Sequence, residues 1–356
     1  MQTIDLCFKL KEDFQKGMKE RKIMLKGIFI MSDELIDLDY PPHLRDEMKK
    51  EIQLLEPVLT PDNYTEHWDV IHEADVIFSG MGSVEMDKAF LDRAPNLKAV
   101  FYAASSVKYM FTDDEVWKRD IIVSTARTVN AIPVAQFSMA QILLSLKNSW
   151  YLARKVRDEE TFTHGNDYPI PGMYDTNVGI ISLSAIGVQV VHYLKEHGLN
   201  ILVYDPYVNE TEAQALGVQL KSLEELFKES DVVSLHAPLL PETVDLVTGK
   251  HIRSMKKYAT FINTARGEIV KEDEMIEVLQ ERTDLTALLD VTSPEPPHPG
   301  SPLYSLENVM LTPHISGSTG KERQRQGEEM FKEFKRYVNN ESLKHQISRK
   351  QFDRLG

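Results

Sequence analysis

Short, strongly apolar runs alternate with longer amphipathic stretches along almost the whole chain, and this alternation restricts the fold more than any other feature. Strand-type runs separated by helical patterns call for parallel pairing, because parallel neighbours need a crossover between them. The first series has runs at residues 24–31, 74–79, 97–103 and 121–124, with amphipathic stretches at 44–55 and 84–94 between them. A denser series follows residue 130. Residues 133–146 (PVAQFSMAQILLSL) are almost free of charge and predict a buried helix. A turn-rich stretch at 164–177 leads into six apolar runs at 178–183, 201–205, 232–235, 260–264, 287–291 and 309–312. After Gly320 a charged helical segment is expected to pack back on one of two domains. The predicted class is α/β, with two parallel-sheet domains.

At 356 residues the chain is too long for one small core and suits two domains of ordinary size. A net charge of −14 works against a nucleic-acid partner, since phosphate binding needs a basic face. Small anionic substrates stay open, because one arginine can hold a carboxylate. The only cysteine, Cys7, excludes an internal disulfide, and no His/Cys cluster suggests a metal. The first residues have no apolar core of signal-peptide length, and no run of about 18 apolar residues offers a membrane span. Residues 1–22 read equally as a surface helix or an extended start. A cytoplasmic chain without membrane or nucleic-acid partners is expected.

The run at 178–183 is continuously apolar, as a strand covered on both faces should be. A helical face of Ile186, Val190, Val191 and Leu194 follows, Gly198 stops it, and the next strand ends in Asp205. Strand, turn, helix, strand and acid form the dinucleotide-binding unit. Its helix N-terminus takes the pyrophosphate and the acid takes the adenosine ribose hydroxyls. Asp205 favours NAD, since a carboxylate repels the additional phosphate of NADP. The glycine fingerprint is altered: Ser182, Leu183, Ser184, Ala185, Ile186 and Gly187 keep only the third glycine. A serine costs about 1–2 kcal/mol where the backbone must be left-handed, and little elsewhere. Its hydroxyl is also a potential phosphate donor. The unit alone fits a ligand-free βαβ fold as well as a cofactor site.

Three further points lie at the carboxyl ends of strands in the same series. Thr264, Ala265 and Arg266 follow the run at 260. Asp290 closes the run at 287, with Glu295 beyond it in a proline-rich loop, and His314 closes the run at 309. Ligands of open α/β sheets bind at that edge. A lone arginine there is usually a surface residue and a lone histidine a satisfied hydrogen-bonder. Arginine, carboxylate and histidine on one edge are harder to dismiss.

The segments LHAPLLPETVDLV, FINTARGEIV, ALLDVTSPEPP and LTPHISGST closely resemble the signature blocks of the D-isomer-specific 2-hydroxyacid dehydrogenase family, in order and spacing, over about residues 70–325. The resemblance implies two Rossmann-like or flavodoxin-like domains with a cleft between them. An NAD-binding domain at 127–316 would be inserted into a substrate domain of 1–126 and 317–356, and the chain would form a homodimer. The activity implied is hydride transfer between NAD(H) and a small 2-keto or 2-hydroxy acid of D configuration. Arg266 would hold the substrate carboxylate and polarise the carbonyl, and His314 would exchange the proton. Glu295 would orient the imidazole and favour its protonated form during reduction. Ser184, Ala185, Ile186, Gly187, Asp205, Ala237, Pro238, Thr243, Thr264, Ala265 and Asp290 would surround the cofactor. Ala104, Ser105 and Ser106 would face the substrate carboxylate.

Four residues depart from the family pattern: Ser182, Ser184, Ser105 where a glycine is common, and Gln136 where a glutamate is common. The two lost glycines also fit a second reading, a catalytically weak or inactive paralogue that senses a dinucleotide or metabolite.

Overall fold

The computed structural model describes residues 24–162 and 170–353. The expectations for residues 1–22, with Cys7, and for 164–169 lie outside the described residues.

Five parallel strands form the first sheet: β1 (Lys26–Ile30), β2 (Gln53–Leu54), β3 (Val76–Ser79), β4 (Ala99–Tyr102) and β5 (Ile122–Thr125), in the order β2-β1-β3-β4-β5. All four residues of β3 and all four of β4 are buried, because helices cover both faces. The order is the flavodoxin-like one. Seven parallel strands form the second sheet: β6 (Asn177–Ile181), β7 (Asn200–Tyr204), β8 (Gln219–Leu220), β9 (Val232–Leu235), β10 (Thr260–Asn263), β11 (Thr286–Leu289) and β12 (Val309–Leu311). Their order is β12-β11-β10-β9-β6-β7-β8, so the chain reverses direction across the sheet between β6 and β9. That reversal opens a crevice at the carboxyl ends of the two strands.

Four helices position the site: α1 (Asp33–Asp39), α2 (Arg127–Leu146), α3 (Ala185–Leu194) and α4 (Lys321–Val338). α2 leaves β5 and packs against α3 and against β9 and β10, so it carries the chain from the first sheet to the second. It is long and apolar enough to span a membrane by length and composition alone, yet its buried face is core of this sheet. Proline favours a first turn, which places the expected start at 133. The helix instead begins at Arg127 with Pro133 inside it, because packing on α3 outweighs one missing backbone hydrogen bond.

The amphipathic stretch at 44–55 is not one helix. A helix spans Pro42–Met48, and residues 53–54 pair with β1 as an edge strand. The stretch at 84–94 is helical only over Lys88–Arg93, where Asp87 caps the N–H of Phe90 at 2.9 Å. β8, a seventh strand beside the six expected, and the helix Ser149–Glu159 were not signalled. Two-residue strands have no period to read.

The charged segment after Gly320 returns to the first sheet, where α4 packs on α1 and β4. Its anchor is ionic. The fully buried Glu333 carboxylate accepts from the Ser124 hydroxyl (2.9 Å), the N–H groups of Lys344 and His345, and Arg336. Glu329, Glu333 and His345 therefore sit together as an ion-pair clasp whose oxygens already have donors.

Candidate active site

Every strand of the second sheet runs the same way, so the residues just past β6, β7, β9, β10, β11 and β12 share one edge. Arg266, the Asp290–Glu295 segment and His314 follow three consecutive neighbours, β10, β11 and β12.

His314 has φ +51°, a left-handed backbone that a non-glycine residue adopts only at some cost. Its loop is held by Asp290, whose carboxylate accepts from the Thr312 hydroxyl (2.5 Å) and from the N–H groups of Ile315 (2.9 Å) and Ser316 (2.8 Å). Asp290 is buried, and these bonds fix the turn that carries the imidazole. Nδ1 of His314 lies 2.6 Å from Oε1 of Glu295. A carboxylate only accepts, so Nδ1 carries the hydrogen and Nε2 is the atom left to exchange a proton. The pair stays open to solvent, with side-chain exposures of 47% and 44%.

A second histidine on this edge is disqualified. His236, beside Ala237, is fully buried and bonded through Nε2 to the Ser234 hydroxyl at 2.9 Å. Burial pushes it down to about 3, so it stays neutral.

Arg266 is half-buried, and its Nη1 donates to the Ala265 carbonyl at 2.6 Å. Asn263 holds the segment by donating to the Arg266 carbonyl and accepting from the Ala265 N–H. A Cβ on Gly267 would lie 2.1 Å from the Thr292 carbonyl, so only glycine lets the Arg266 loop press on the strand end that leads to Glu295. The Thr264 hydroxyl bonds to Ser138 of α2 at 3.0 Å. Thr243 closes the loop after β9, donating to the Pro238 carbonyl and accepting from the Leu240 N–H.

The turn after β6 accommodates its serines differently. Ser182 has φ +76° and stands in the left-handed region, whereas Ser184 adopts an ordinary N-cap conformation. Ser184 Oγ accepts from the Gly187 N–H at 3.4 Å, leaving its hydroxyl hydrogen free. Among the described residues nothing accepts from the N–H groups of Ser184, Ala185 or Ile186, which leaves orphan donors at a helix start. A Cβ on Gly187 would fall 2.0 Å from the Ser182 carbonyl oxygen, so the helix approaches this turn as closely as backbone allows. Asp205 is at the end of β7, where a ribose would lie. These features fit a dinucleotide: free donors for a pyrophosphate, close helix–strand packing, and an acid beside it.

In the first domain, Ala104–Ser106 follows β4, and Ser105 Oγ accepts from Asn130 Nδ2 at 2.8 Å. Asn130 Oδ1 accepts from the Ser318 N–H and from Gln326. One side chain of α2 thus joins the first-sheet loop to the chain segment that returns to it. Gln136, by contrast, is exposed on α2. Asn130 and Ser138, which tie α2 to these loops, were missed from the sequence. The one signal for them was a pair of polar residues on an otherwise apolar helix.

A flavodoxin-like sheet, a doubly wound second sheet and a helix start with unpaired N–H donors at its crevice have the form of a dinucleotide-binding α/β protein. Residues 139–316 match the model of the D-isomer specific 2-hydroxyacid dehydrogenase, NAD binding domain. The chain is 33% identical over 246 residues to a glyoxylate reductase of Korarchaeum cryptofilum, covering 68% of this chain and 74% of that protein. It is 31% identical over 283 residues to a D-3-phosphoglycerate dehydrogenase of Methanocaldococcus jannaschii, covering 78% of this chain but only 52% of that protein. The chain therefore spans about half the length of that relative. The TT0316 protein of Thermus thermophilus superposes with a TM-score of 0.68 at 26% identity, over 91% of this chain and 100% of that one. The chain belongs to the D-isomer-specific 2-hydroxyacid dehydrogenase family, and NAD is its cofactor.

Proposed function

We propose that the chain is a reductase of a small 2-keto acid, with Arg266, Glu295 and His314 as its catalytic set. The domains divide as 127–316 for the cofactor and 1–126 with 317–356 for the substrate, and the reaction site is the cleft between them. The observation that carries this reading is the 2.6 Å contact of His314 Nδ1 with Glu295, which leaves Nε2 as the proton-exchanging atom on the sheet edge that also carries Arg266.

When bound, NADH supplies the hydride. Arg266 holds the substrate carboxylate with its planar fork, and the backbone at Ala104–Ser106 faces it from the other domain. Protonated His314 gives its Nε2 proton to the keto oxygen as the new C–H bond forms, and ends neutral. Glu295 keeps Nδ1–H bonded throughout, so the ring neither rotates nor changes tautomer. Asp205 and the N–H groups of Ser184–Ile186 hold the cofactor, with Ala237, Pro238, Thr243, Thr264 and Ala265 around it. Asp290 acts through the His314 loop. A homodimer is part of this reading, supported by the exposed aromatics Phe162 and Tyr174 on either side of residues 163–169.

The test is a panel of 2-keto acids, with glyoxylate and hydroxypyruvate among them as suggested by the relatives, assayed with NADH and NADPH. Turnover of at least one acid with NADH is expected. His314→Ala should cost about 10²- to 10⁴-fold in kcat while NADH binding is retained. Equal loss of both would mean that His314 is misassigned.

A second reading, a dinucleotide-sensing protein without turnover, rests on the left-handed Ser182. Micromolar NADH binding with no reduction of any acid in the panel would favour it.

A further inference from the structure

The crevice beside the first turn of α3 has a second wall from a distant part of the chain. A cleft of about 350 Å³ is lined on one side by Ser184, Ala185 and Val188, and on the other by Arg127 and Ala131 from the first turns of α2. Arg127 is the only charged residue of this 20-residue helix. It is half-buried, and among the described residues no carboxylate or carbonyl accepts from its guanidinium. Burial lowers its pKa with no opposing counter-charge. A desolvated cation without a partner is unfavourable unless an anion joins it. Ser184 and Ala185, whose N–H groups are orphaned, line the same cleft and favour an anion for their own reason, the positive end of the helix dipole.

We propose that Arg127 is a cofactor-binding residue, whose guanidinium clamps the NAD pyrophosphate against the first turn of α3. This deepens the cofactor assignment and rests on it. The diphosphate lies between backbone donors of one helix and a planar cation of another, and its two negative charges meet a full positive charge as well as partial ones. The altered glycine loop offers no cation of its own between Ser182 and Gly187. The arginine therefore comes from across the cleft.

The test compares wild type, Arg127→Gln and Arg127→Lys by titration with NADH, ADP and adenosine. Arg127→Gln is expected to weaken NADH and ADP by about 10- to 100-fold, the range of a hydrogen bond to a charged group, and to leave adenosine unchanged. Arg127→Lys should recover part of the loss, and raised salt should weaken wild type more than Arg127→Gln. Unfolding midpoints should agree between wild type and both variants, since Arg127 has no protein partner to lose. Arg127→Gln binding NADH and ADP as wild type does would overturn the assignment while leaving the cofactor reading intact. Adenosine falling as far as ADP would overturn it too, since the loss would then be collapse of the cleft. A wild-type chain that takes up no NADH removes the cofactor reading and this assignment together.

Discussion

The Ser182 hydroxyl donates to Oδ2 of Asp205 at 3.2 Å, and the Leu183 N–H donates to the same oxygen at 2.8 Å. Oδ1 of Asp205 accepts from the Tyr207 N–H at 2.9 Å. With two lone pairs on each oxygen, Oδ2 is filled and Oδ1 keeps one site for a ribose hydroxyl. The serine that replaces the first glycine of the fingerprint therefore bonds the carboxylate proposed to hold the ribose, while its own backbone stays in a left-handed conformation that favours glycine.

Ser182→Gly should relieve that strain, about 1 kcal/mol, and release one acceptor on Asp205. NADH is expected to bind several-fold more tightly by fluorescence titration. Ser182→Ala keeps the strained Cβ and releases only the acceptor, so it should show a smaller gain. Weaker binding in both variants would mean that the hydroxyl organises Asp205 for the ribose.

Gly187→Ala places a methyl 2.0 Å from the Ser182 carbonyl oxygen, backbone that cannot swing aside. Overpacking of this kind costs about 1–3 kcal/mol. Because α3 must move off the turn, NADH affinity should fall at least tenfold and the unfolding midpoint should drop. Wild-type values for both would show that the helix has room that the geometry denies.

Glu295→Gln keeps an oxygen that can accept from Nδ1 of His314 but removes the charge behind it. The expected result is a kcat lowered by about 10²-fold with NADH affinity unchanged. A variant with wild-type kcat would leave Glu295 as a structural neighbour only.

Asp39, fully buried at the end of α1, pairs with Arg323 of α4 at 2.8 Å. Burial raises its pKa from 3.8 to about 6 despite the guanidinium. Between those values the folded chain holds a proton that the unfolded chain has released. The stability contributed by this group is therefore complete below about pH 3.8 and is lost as pH rises toward 6. Asp39→Asn cannot titrate, so the difference in unfolding free energy between wild type and variant should change across that window and be flat above about pH 7. A difference that is flat throughout would place the carboxyl in contact with water. At neutral pH Arg323→Met should destabilise by about 3 kcal/mol, because Asp39 loses its partner and must take up a proton or stay buried as an unpaired charge.

The strands that carry the site could be read from the sequence because each is a local apolar run ending in a polar residue, and the sheet is parallel throughout. Arg266, Glu295 and His314 were visible for the same reason, since each stands a few residues past such a run. Residues 53–54 and 219–220 could not be read as strands, because two residues hold no periodicity and only a neighbour makes them a strand. Asp290 reads as a cofactor residue by position, yet its carboxylate is occupied by Thr312, Ile315 and Ser316, whose places depend on how β12 lies beside β11.

Sequence by itself determined two parallel sheets except for their two-residue strands, the turn after β6 with its substitutions, and the chemical types at the strand ends. These follow from backbone periodicity and residue chemistry, which are properties of neighbours in the chain. Tertiary structure alone decided which donor meets which acceptor: Ser182 with Asp205, Asn130 with Ser105, and Arg127 facing the first turn of α3. Those meetings depend on strand order and helix crossing, and hydrogen bonds that form within about 3.5 Å leave no mark on residues so far apart in the chain.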